Sequence, residues 1–412
     1  MSNTTPTSRL SRSRSQFRQF LHTESAGGVV LVFSAVISLV WINSPFKESF
    51  YTFWNYRFDI SLWSFSFGMD LHHWVNEGFM TFFFFIIGLE IKREVTSGHL
   101  STRKSLALPL FGALGGMVIP ALTYLLIAGS VEPSGWGVPM ATDIALAVGV
   151  LSLLGSRVSP SIRAFLLGLA VVDDIGAILV IAIFYSTNVS AMWLLIALSG
   201  LILTSLLKRL NVRITTMYVL CGAVVWYSLY KTGVHPTLTG VIFGLLTPTF
   251  PVDRYHDQGN ADSPSVLESL ENRIHPWTSF VIVPLFALAN AGIEISSKSL
   301  ADASTSVIAW GIFVGLVFGK PIGIMSTVLL AKRMKLAETP IDTSLRTFIG
   351  VGNAAGIGFT VALFISELAF TNPTHQADAK IAILIGSVLS AALSIFVLNR
   401  KSGALQLDEA AV

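Results

Sequence analysis

The sequence has little charge and almost no cysteine. Asp, Glu, Lys and Arg make up 12% of its 412 residues, 52% are hydrophobic, and Cys221 is the only cysteine. Because soluble domains carry about 25% charged residues, this composition excludes an ordinary soluble fold. A single cysteine also excludes an intrachain disulfide. Long polar segments are missing too: the longest, 253–272, is short enough to be only a connector.

Apolar runs of membrane-spanning length fill the rest of the chain. About 20 apolar residues cross the roughly 30 Å of hydrocarbon in a bilayer. We predict an all-α membrane protein with twelve transmembrane helices, at 27–43, 73–90, 106–129, 137–155, 161–185, 191–207, 214–231, 234–249, 277–295, 305–331, 346–370 and 377–399. They form a single domain over 27–399, with tails at 1–26 and 400–412. The Arg-rich start is similar to a signal peptide, but no small-residue cleavage site follows Trp41, so a retained first span is favoured.

Positive charge lies mainly on one side of the predicted membrane. If the amino terminus is cytoplasmic, twenty-one of the 27 Lys and Arg residues fall in cytoplasmic segments and five in extracytoplasmic loops. The positive-inside rule therefore places both termini in the cytoplasm. An odd number of spans would destroy this alternation, which supports the count of twelve.

Two adjacent carboxylates and one amine lie within predicted spans. Asp173 and Asp174 interrupt the apolar stretch 164–185, and Lys320 is alone in VGLVFGKPIGI. Each charged group at mid-membrane depth costs at least ~2.5–3.5 kcal/mol, so each needs a compensating ion, proton or opposite charge. Neighbours on a helix differ by about 100° in direction, so one carboxylate can face an aqueous cavity while the other faces a neighbouring helix. Two acids and one base therefore indicate an ion or proton pathway.

The fourth and eleventh predicted spans contain residues that interrupt helices. GWGVPMATDIALAVG puts Pro139, Thr142 and Asp143 in mid-span, and IGVGNAAGIGFTVAL contains four glycines with Asn353 and Thr360. Close helix packing through small residues would explain the glycines, whereas a break facing a cavity explains the polar residues as well. These spans are the middle members of helices 3–5 and 10–12, which begin on opposite sides of the membrane. We therefore predict inverted repeats with two broken, crossing helices, an arrangement that marks the binding site of secondary transporters.

Seven long motifs resemble the NhaA family of bacterial sodium/proton antiporters, over about 26–399. They are WVNEGFMTFFFFIIGLEIKRE at 74–94, ATDIALAVGVLSLLGSRV at 141–158, VVDDIGAI at 171–178, GVHPTLTGVIFG at 233–244, HPWTSFVIVPLFALANAG at 275–292, GKPIGI at 319–324 and GIGFTVALFI at 356–365. This family is itself a known example of an inverted-repeat transporter, so the resemblance and the repeat are not independent. The resemblance implies a pH-regulated, electrogenic antiporter that exports Na⁺ and Li⁺ from a bacterium across its inner membrane in exchange for protons. It implies neither a cofactor nor nucleic-acid binding.

The resemblance also assigns roles to individual residues. Asp173, Asp174 and Thr142 match the ion-binding residues, with Asp174 the most direct cation ligand. Asp143 and Lys320 match charge-compensating residues, and Lys320 matches the partner of the first aspartate in the pair. Whether Lys320 carries a proton or only pairs with Asp173 stays open, because both roles predict the same sequence.

Five further residues match the pH sensors of the family: Glu90, Arg93, Glu94, His235 and Glu271. For His235, a role in starting the eighth span is an equal alternative. Asn272 stands where some relatives have histidine, and Glu77 replaces the more usual aspartate. These departures leave the pH profile open.

Alternating apolar and polar residues predict a short extracytoplasmic β-hairpin at 56–67, YRFDISLWSFSF. An exposed strand edge can pair with a second copy, and the dimer contact of the family lies in this loop. A homodimer through 56–67 is therefore expected.

Three histidines near predicted membrane edges are interpreted as interfacial. His72 and His73 have no third metal ligand nearby in the sequence, which argues against a metal site. His275, followed by Pro276 and Trp277, predicts an anchor at the membrane surface.

Two other functions compete with antiport. An intramembrane aspartyl protease also needs two membrane aspartates, but on separate helices and with a GxGD motif, which is absent. A channel or a transporter for organic solutes would suit Lys320 and the broken helices, but the motifs argue against it.

Overall fold

The fold, given by a computed structural model, consists of α-helices and one small sheet. The structure describes residues 7–62, 65–98, 103–186, 189–210, 212, 214–249, 265–336 and 345–399. The first ten helices are α1 Thr7–Ile42, α2 Lys47–Trp54, α3 Leu71–His73, α4 Met80–Thr96, α5 Arg103–Ala128, α6 Ile144–Leu153, α7 Pro160–Phe184, α8 Ala191–Arg209, α9 Thr215–Thr232 and α10 Leu238–Leu246. The others are α11 Val266–Trp277, α12 Val283–Asn290, α13 Ser297–Thr305, α14 Val307–Val314, α15 Lys320–Arg333, α16 Leu345–Ala355, α17 Phe359–Ala369 and α18 Pro373–Asn399.

Wide π turns connect three pairs of these helices into longer segments. They are Trp74–Phe79 between α3 and α4, Thr278–Ile282 between α11 and α12, and Gly315–Gly319 between α14 and α15. Proline explains the last two, because Pro284 and Pro321 lack the N–H that would close a regular turn on the preceding residues. Such turns are frequent at functional sites.

The predicted hairpin is present; it begins one residue later and ends three residues later than the predicted range 56–67. Strands β1 Arg57–Leu62 and β2 Phe65–Asp70 pair antiparallel, from Arg57 opposite Asp70 to Leu62 opposite Phe65. The ring of Phe67 packs edge-on against Trp226 and Tyr230, with centroids 6.0 and 5.5 Å away. The hairpin is therefore anchored on the end of α9.

Eight described helical segments are long and apolar enough to cross a membrane, and a bent pair, α16 with α17, makes a ninth. The other predicted spans, 214–231, 234–249 and 277–295, contain shorter or more polar helices. Among them, α10 has only nine residues, and α12 has eight. The chain is thus a helical, multi-pass membrane protein.

Both interrupted segments are visible in the structure. A 3₁₀ helix, Pro133–Met140, leads into extended backbone at Ala141 and Asp143 before α6 begins. Helices α16 and α17 meet at an angle of 51°. The unwound residues of both segments lie in the interior, where they position the site described below.

Glycine lets α10 approach α4 closely. A Cβ atom on Gly240 would lie 2.0 Å from the carbonyl oxygen of Thr81, and one on Gly244 would lie 2.6 Å from the carbonyl oxygen of Phe85. No side chain fits at these distances, so the two helices pack backbone to backbone. Small residues perform this function widely in membrane helices.

We expect Gly240→Ala to lower the unfolding free energy by about 3 kcal/mol, because overpacking would push α10 away from α4. The measurement is the melting temperature of the detergent-solubilised protein. Gly149→Ala is the matched control, since Gly149 lies in α6 with no atom within 4 Å of the added Cβ. That variant should melt at or above the wild-type temperature; equal melting of both variants would contradict the packing argument.

Candidate functional site

The two interrupted segments cross and are joined by hydrogen bonds. The backbone N–H of Asp143 donates to the carbonyl oxygen of Ile357 at 2.6 Å. The hydroxyl of Thr142 donates to the carbonyl oxygen of Ala355 at 2.9 Å. Unwinding leaves backbone groups without partners in their own helices. At the crossing, each segment supplies hydrogen-bond partners to the other.

The carboxylate of Asp143 caps the helices that start on either side of the crossing. One oxygen accepts from the N–H of Leu146 in α6 at 3.0 Å. The other accepts from the N–H and the hydroxyl of Thr360 in α17, at 3.0 and 2.7 Å. Helix N-termini carry partial positive charge, so a single buried carboxylate stabilises both. The sequence pointed to Thr360 only as part of the break; its bond to Asp143 follows from the crossing.

Lys320 is buried between Asp173 and Thr142. Its side chain is 0% exposed, and its Nζ lies 2.6 Å from the Oδ2 of Asp173. The same amine donates to the hydroxyl of Thr142. The π turn Gly315–Gly319 immediately precedes Lys320 and directs it away from the regular helical path. One carboxylate of the aspartate pair is therefore paired directly with an amine.

Asp174 points in a different direction, into a pocket. Thr142, Asp143 and Thr360 also line this pocket, as does Glu90. Asp174 is 5% exposed, and within the described part of the chain its carboxylate accepts no hydrogen bond. A buried carboxylate with available oxygens beside a hydroxyl and other acids is a suitable ligand for a hard cation.

A second cluster of charged side chains, here called the charged group, lies beside the pocket on α4 and α11. Arg93 on α4 forms ion pairs with Glu271 on α11 and, at 3.5 Å, with Glu94. Glu90, one helical turn earlier, faces His275 at 3.8 Å. Burial raises the pKa of Glu271 above its ordinary value, although Arg93 acts in the opposite direction. Four of the five residues proposed from the sequence as pH sensors thus lie together.

The interpretation of 275–277 as a membrane-surface anchor is wrong for His275 alone. His275 is buried and lines the pocket beside Glu90. Trp277, two residues later, is 66% exposed and occupies the surface instead. The sequence signal was available: on a helix, residues 271 and 275 lie four apart and share a face, so His275 follows Glu271 towards the interior.

His235 lies apart from the Glu90–Glu271 group. Its Nδ1 is 2.7 Å from the hydroxyl of Thr237, and its Nε2 is 3.4 Å from Glu77. The π turn that contains Glu77 lies at the opposite end of the second span from Glu90. Any pH response of His235 is therefore exerted through different neighbours.

The structure corrects one premise about His72 and His73, that no third metal ligand lies nearby. Asp70, at the end of β2, brings a third possible metal ligand within 4.8 Å of both histidines. Its carboxylate already accepts from the backbone N–H and the ring of His73, at 2.8 and 2.7 Å. Asp70 therefore serves as the helix cap and orients the His73 ring.

Comparisons with known proteins identify the family of the chain. The family model described as Na⁺/H⁺ antiporter 1 matches residues 18–398. The chain belongs to this family. It is 42% identical over 425 residues to Na(+)/H(+) antiporter NhaA 2 of Myxococcus xanthus (strain DK1622), covering 95% of this chain and 90% of the relative. It is 41% identical over 387 residues to Na(+)/H(+) antiporter NhaA of Shewanella pealeana (strain ATCC 700345 / ANG-SQ1), covering 93% and 96%.

Family membership makes the chain a transporter and not an enzyme. The protease alternative is thereby excluded. The family is one of sodium/proton antiporters, which agrees with a buried site made of carboxylates and one amine.

Proposed function

We propose that the protein exports Na⁺, and also Li⁺, in exchange for protons, with net movement of charge in each cycle. The observation that supports this proposal most directly is the position of Asp174, which faces the pocket while Asp173 beside it is paired with Lys320. One carboxylate is neutralised by the protein, and the other has to be neutralised by what it binds. The site lies in a bacterial inner membrane, with both termini in the cytoplasm.

In this proposal Asp174, Asp173 and Thr142 bind the cation, while Asp143 and Lys320 compensate charge. Na⁺ prefers oxygen ligands, by analogy with other hard cations. Asp174 and Thr142 supply a carboxylate and a hydroxyl from the pocket wall. Asp173 joins them when the cation attracts it from Lys320. Lys320 then either keeps its proton as a structural partner or releases it as part of the exchange.

Competition for the carboxylates couples the two ions. Buried carboxylates beside one another hold protons more tightly than exposed ones, because burial and like charge both disfavour ionisation. A cation that binds displaces these protons, and an empty, charged site does not cross the membrane. If more protons than cations move, the membrane potential contributes about 2.3 kcal/mol per charge per 100 mV, which drives export against a gradient.

We assign pH regulation to Glu90, Arg93, Glu94 and Glu271, together with His235. The first four form the charged group beside the pocket, where His275 also faces Glu90. Because the pKa of Glu271 is raised by burial, its carboxyl gains charge nearer to neutral pH than an exposed glutamate would. Its ionisation strengthens the pair with Arg93 and changes the field at Glu90.

The full architecture that we propose is twelve transmembrane helices in a single domain, with helices 3–5 and 10–12 as inverted repeats. Support comes from the crossing of the fourth and eleventh segments through Asp143 and Ile357, and from the charge distribution of the loops. The three short or polar segments would complete the spans when packed within the bundle.

The test of the proposed function uses purified protein in proteoliposomes. Addition of Na⁺ to one side should drive protons to that side, and Li⁺ should do the same. Reversal potentials, measured at several Na⁺ and proton gradients, give the ratio of protons to cations, which we expect to exceed one. Cation uptake and proton release that proceed independently of each other would contradict antiport.

We also propose that two copies associate through the β-hairpin. Phe58 on β1 is 53% exposed, and an unpaired strand edge favours pairing with another strand. In a Cys221→Ser background, Phe58→Cys should give a crosslinked dimer with a short bis-maleimide in native membranes. Lys298→Cys, at an exposed position in α13, is the control and should stay monomeric. Monomers alone from Phe58→Cys would count against this interface.

A further inference from the structure

One face of α17 leads from the crossing towards the hairpin side of the molecule. Thr360, Phe364 and Glu367 are spaced by four and three residues, so their side chains lie along one face of the helix. Thr360 is bonded to Asp143 at the crossing. Glu367 lies about two helical turns beyond it, at roughly 10 Å along the axis.

An aromatic layer separates the two ends of this face. Phe364 is 1% exposed, and its ring lies 5.2 Å from that of Phe84 and 6.2 Å from that of Phe286. The ring of His235 is 5.0 Å away on another side. In this conformation Phe364 and the rings around it therefore separate the pocket from Glu367 along this face of α17.

Beyond the aromatic layer lies a group of polar side chains that the proposed mechanism does not use. Lys380 on α18 lies 2.6 Å from Glu367, and the two side chains are only 15% and 18% exposed. His72 is close enough to interact electrostatically with both. His72 in turn contacts Asn290 at 3.1 Å, and Asn290 exchanges hydrogen bonds with Asn76. Four segments of the chain meet here.

Helix stability does not explain a glutamate at position 367. It lies in the last turn of α17, where the helix dipole presents negative charge and disfavours a carboxylate. Its Oε1 is held by the ammonium of Lys380, 2.6 Å away, so the acid depends on a single charged partner. A largely buried acid that is unfavourable for its helix, and whose one ammonium partner could be replaced by another cation, is a suitable place for a hard cation.

We propose that Glu367 forms a second cation site, on the extracytoplasmic side of the aromatic layer, which the transported alkali cation occupies between Asp174 and the outside. This inference rests on the proposed antiport function. In the conformation described here the Lys380 ammonium takes the place of the cation. When the Phe364 layer opens, the arriving cation replaces the ammonium beside Glu367, and Lys380 restores the closed arrangement once the cation has left.

The test compares Na⁺ offered from each side of the membrane. Everted vesicles present the cytoplasmic face to added Na⁺, and right-side-out vesicles present the extracytoplasmic face. For Glu367→Gln we expect the KM for Na⁺ at the extracytoplasmic face to rise about tenfold, equivalent to roughly 1.4 kcal/mol. The KM at the cytoplasmic face should be unchanged. Lys380→Gln should lower the extracytoplasmic KM, because it removes the competing ammonium.

The matched control is Glu294→Gln, which also breaks an outer-face pair, between Glu294 and Lys47 at 2.8 Å, but away from the α17 face. Its KM should match the wild type at both faces. Equal changes of KM at both faces in Glu367→Gln, or no change, would overturn the outer site.

If Glu367→Gln is not inserted into the membrane, Glu367→Asp should show the same one-sided change in KM, smaller in size. Failure of the proposed function looks different: wild type and Glu294→Gln would then lack Na⁺-driven proton movement at either face.

Discussion

Asp174→Asn should abolish Na⁺-driven proton movement while the protein remains folded. Asp174 lines the pocket, and removal of a buried charged partner costs about 3–5 kcal/mol of interaction with what it binds. A loss of 3 kcal/mol corresponds to a fall in cation affinity of about a hundredfold. The fold should survive, because an amide at mid-membrane is cheaper to bury than an unpaired carboxylate. The measurement is proton flux against Na⁺ concentration in proteoliposomes, with the melting temperature recorded in parallel.

Asp143→Asn is the control for this experiment. Asp143 caps α6 and α17, so its replacement should weaken transport without changing the ratio of protons to cations. The flux through a channel or a carrier of organic solutes would not depend on Na⁺ and would persist in Asp174→Asn.

Wild-type coupling of Na⁺ and proton movement in Asp174→Asn would contradict the assignment of Asp174 to the ion site.

Lys320→Met should destabilise the protein by about 3–5 kcal/mol, because it leaves the carboxylate of Asp173 buried without its partner. The measurement is the melting temperature in detergent together with the transport current. Asp173→Asn in the same chain should recover much of the lost stability, since no charge then remains unpaired. Lys332→Met, at the exposed end of the same helix α15, should have no effect.

The two roles left open for Lys320 predict different combinations of results. A structural partner predicts lower melting and recovery by Asp173→Asn. A proton carrier predicts unchanged melting with loss of the electrogenic current. A variant with wild-type melting and wild-type current would rule out both roles.

Local chemistry made the main elements of the site predictable from sequence. Asp173 and Asp174 had to diverge because adjacent helical positions point about 100° apart, and the polar residues at Thr142 and Asp143 indicated unwound backbone. Which aspartate faces Lys320 depends on how α7 is rotated against α15. That rotation is set by packing over the whole bundle, so it was accessible only through the family resemblance.

Other features depended on contacts that a linear pattern does not contain. The link between Asp143 and Thr360 joins residues 217 positions apart. His275 was misinterpreted because its neighbours Pro276 and Trp277 are typical of membrane surfaces, whereas the helical face it shares with Glu271 turns it inward. Hydropathy likewise identified 234–249 as a span, but the regular helix there has nine residues, with Pro236 before it and Pro248 after it.

The bonds at the crossing restrict how this protein can change shape. Asp143 holds the other interrupted segment through its backbone at Ile357 and through its carboxylate at Thr360. Neither segment can slide or tilt alone without exposing buried polar groups to lipid. In the proposed antiport cycle both segments would therefore shift together, with the Thr142 hydroxyl that accepts from the amine of Lys320. The crossing would travel intact, and Asp173 alone would change its partner, from Lys320 to the cation.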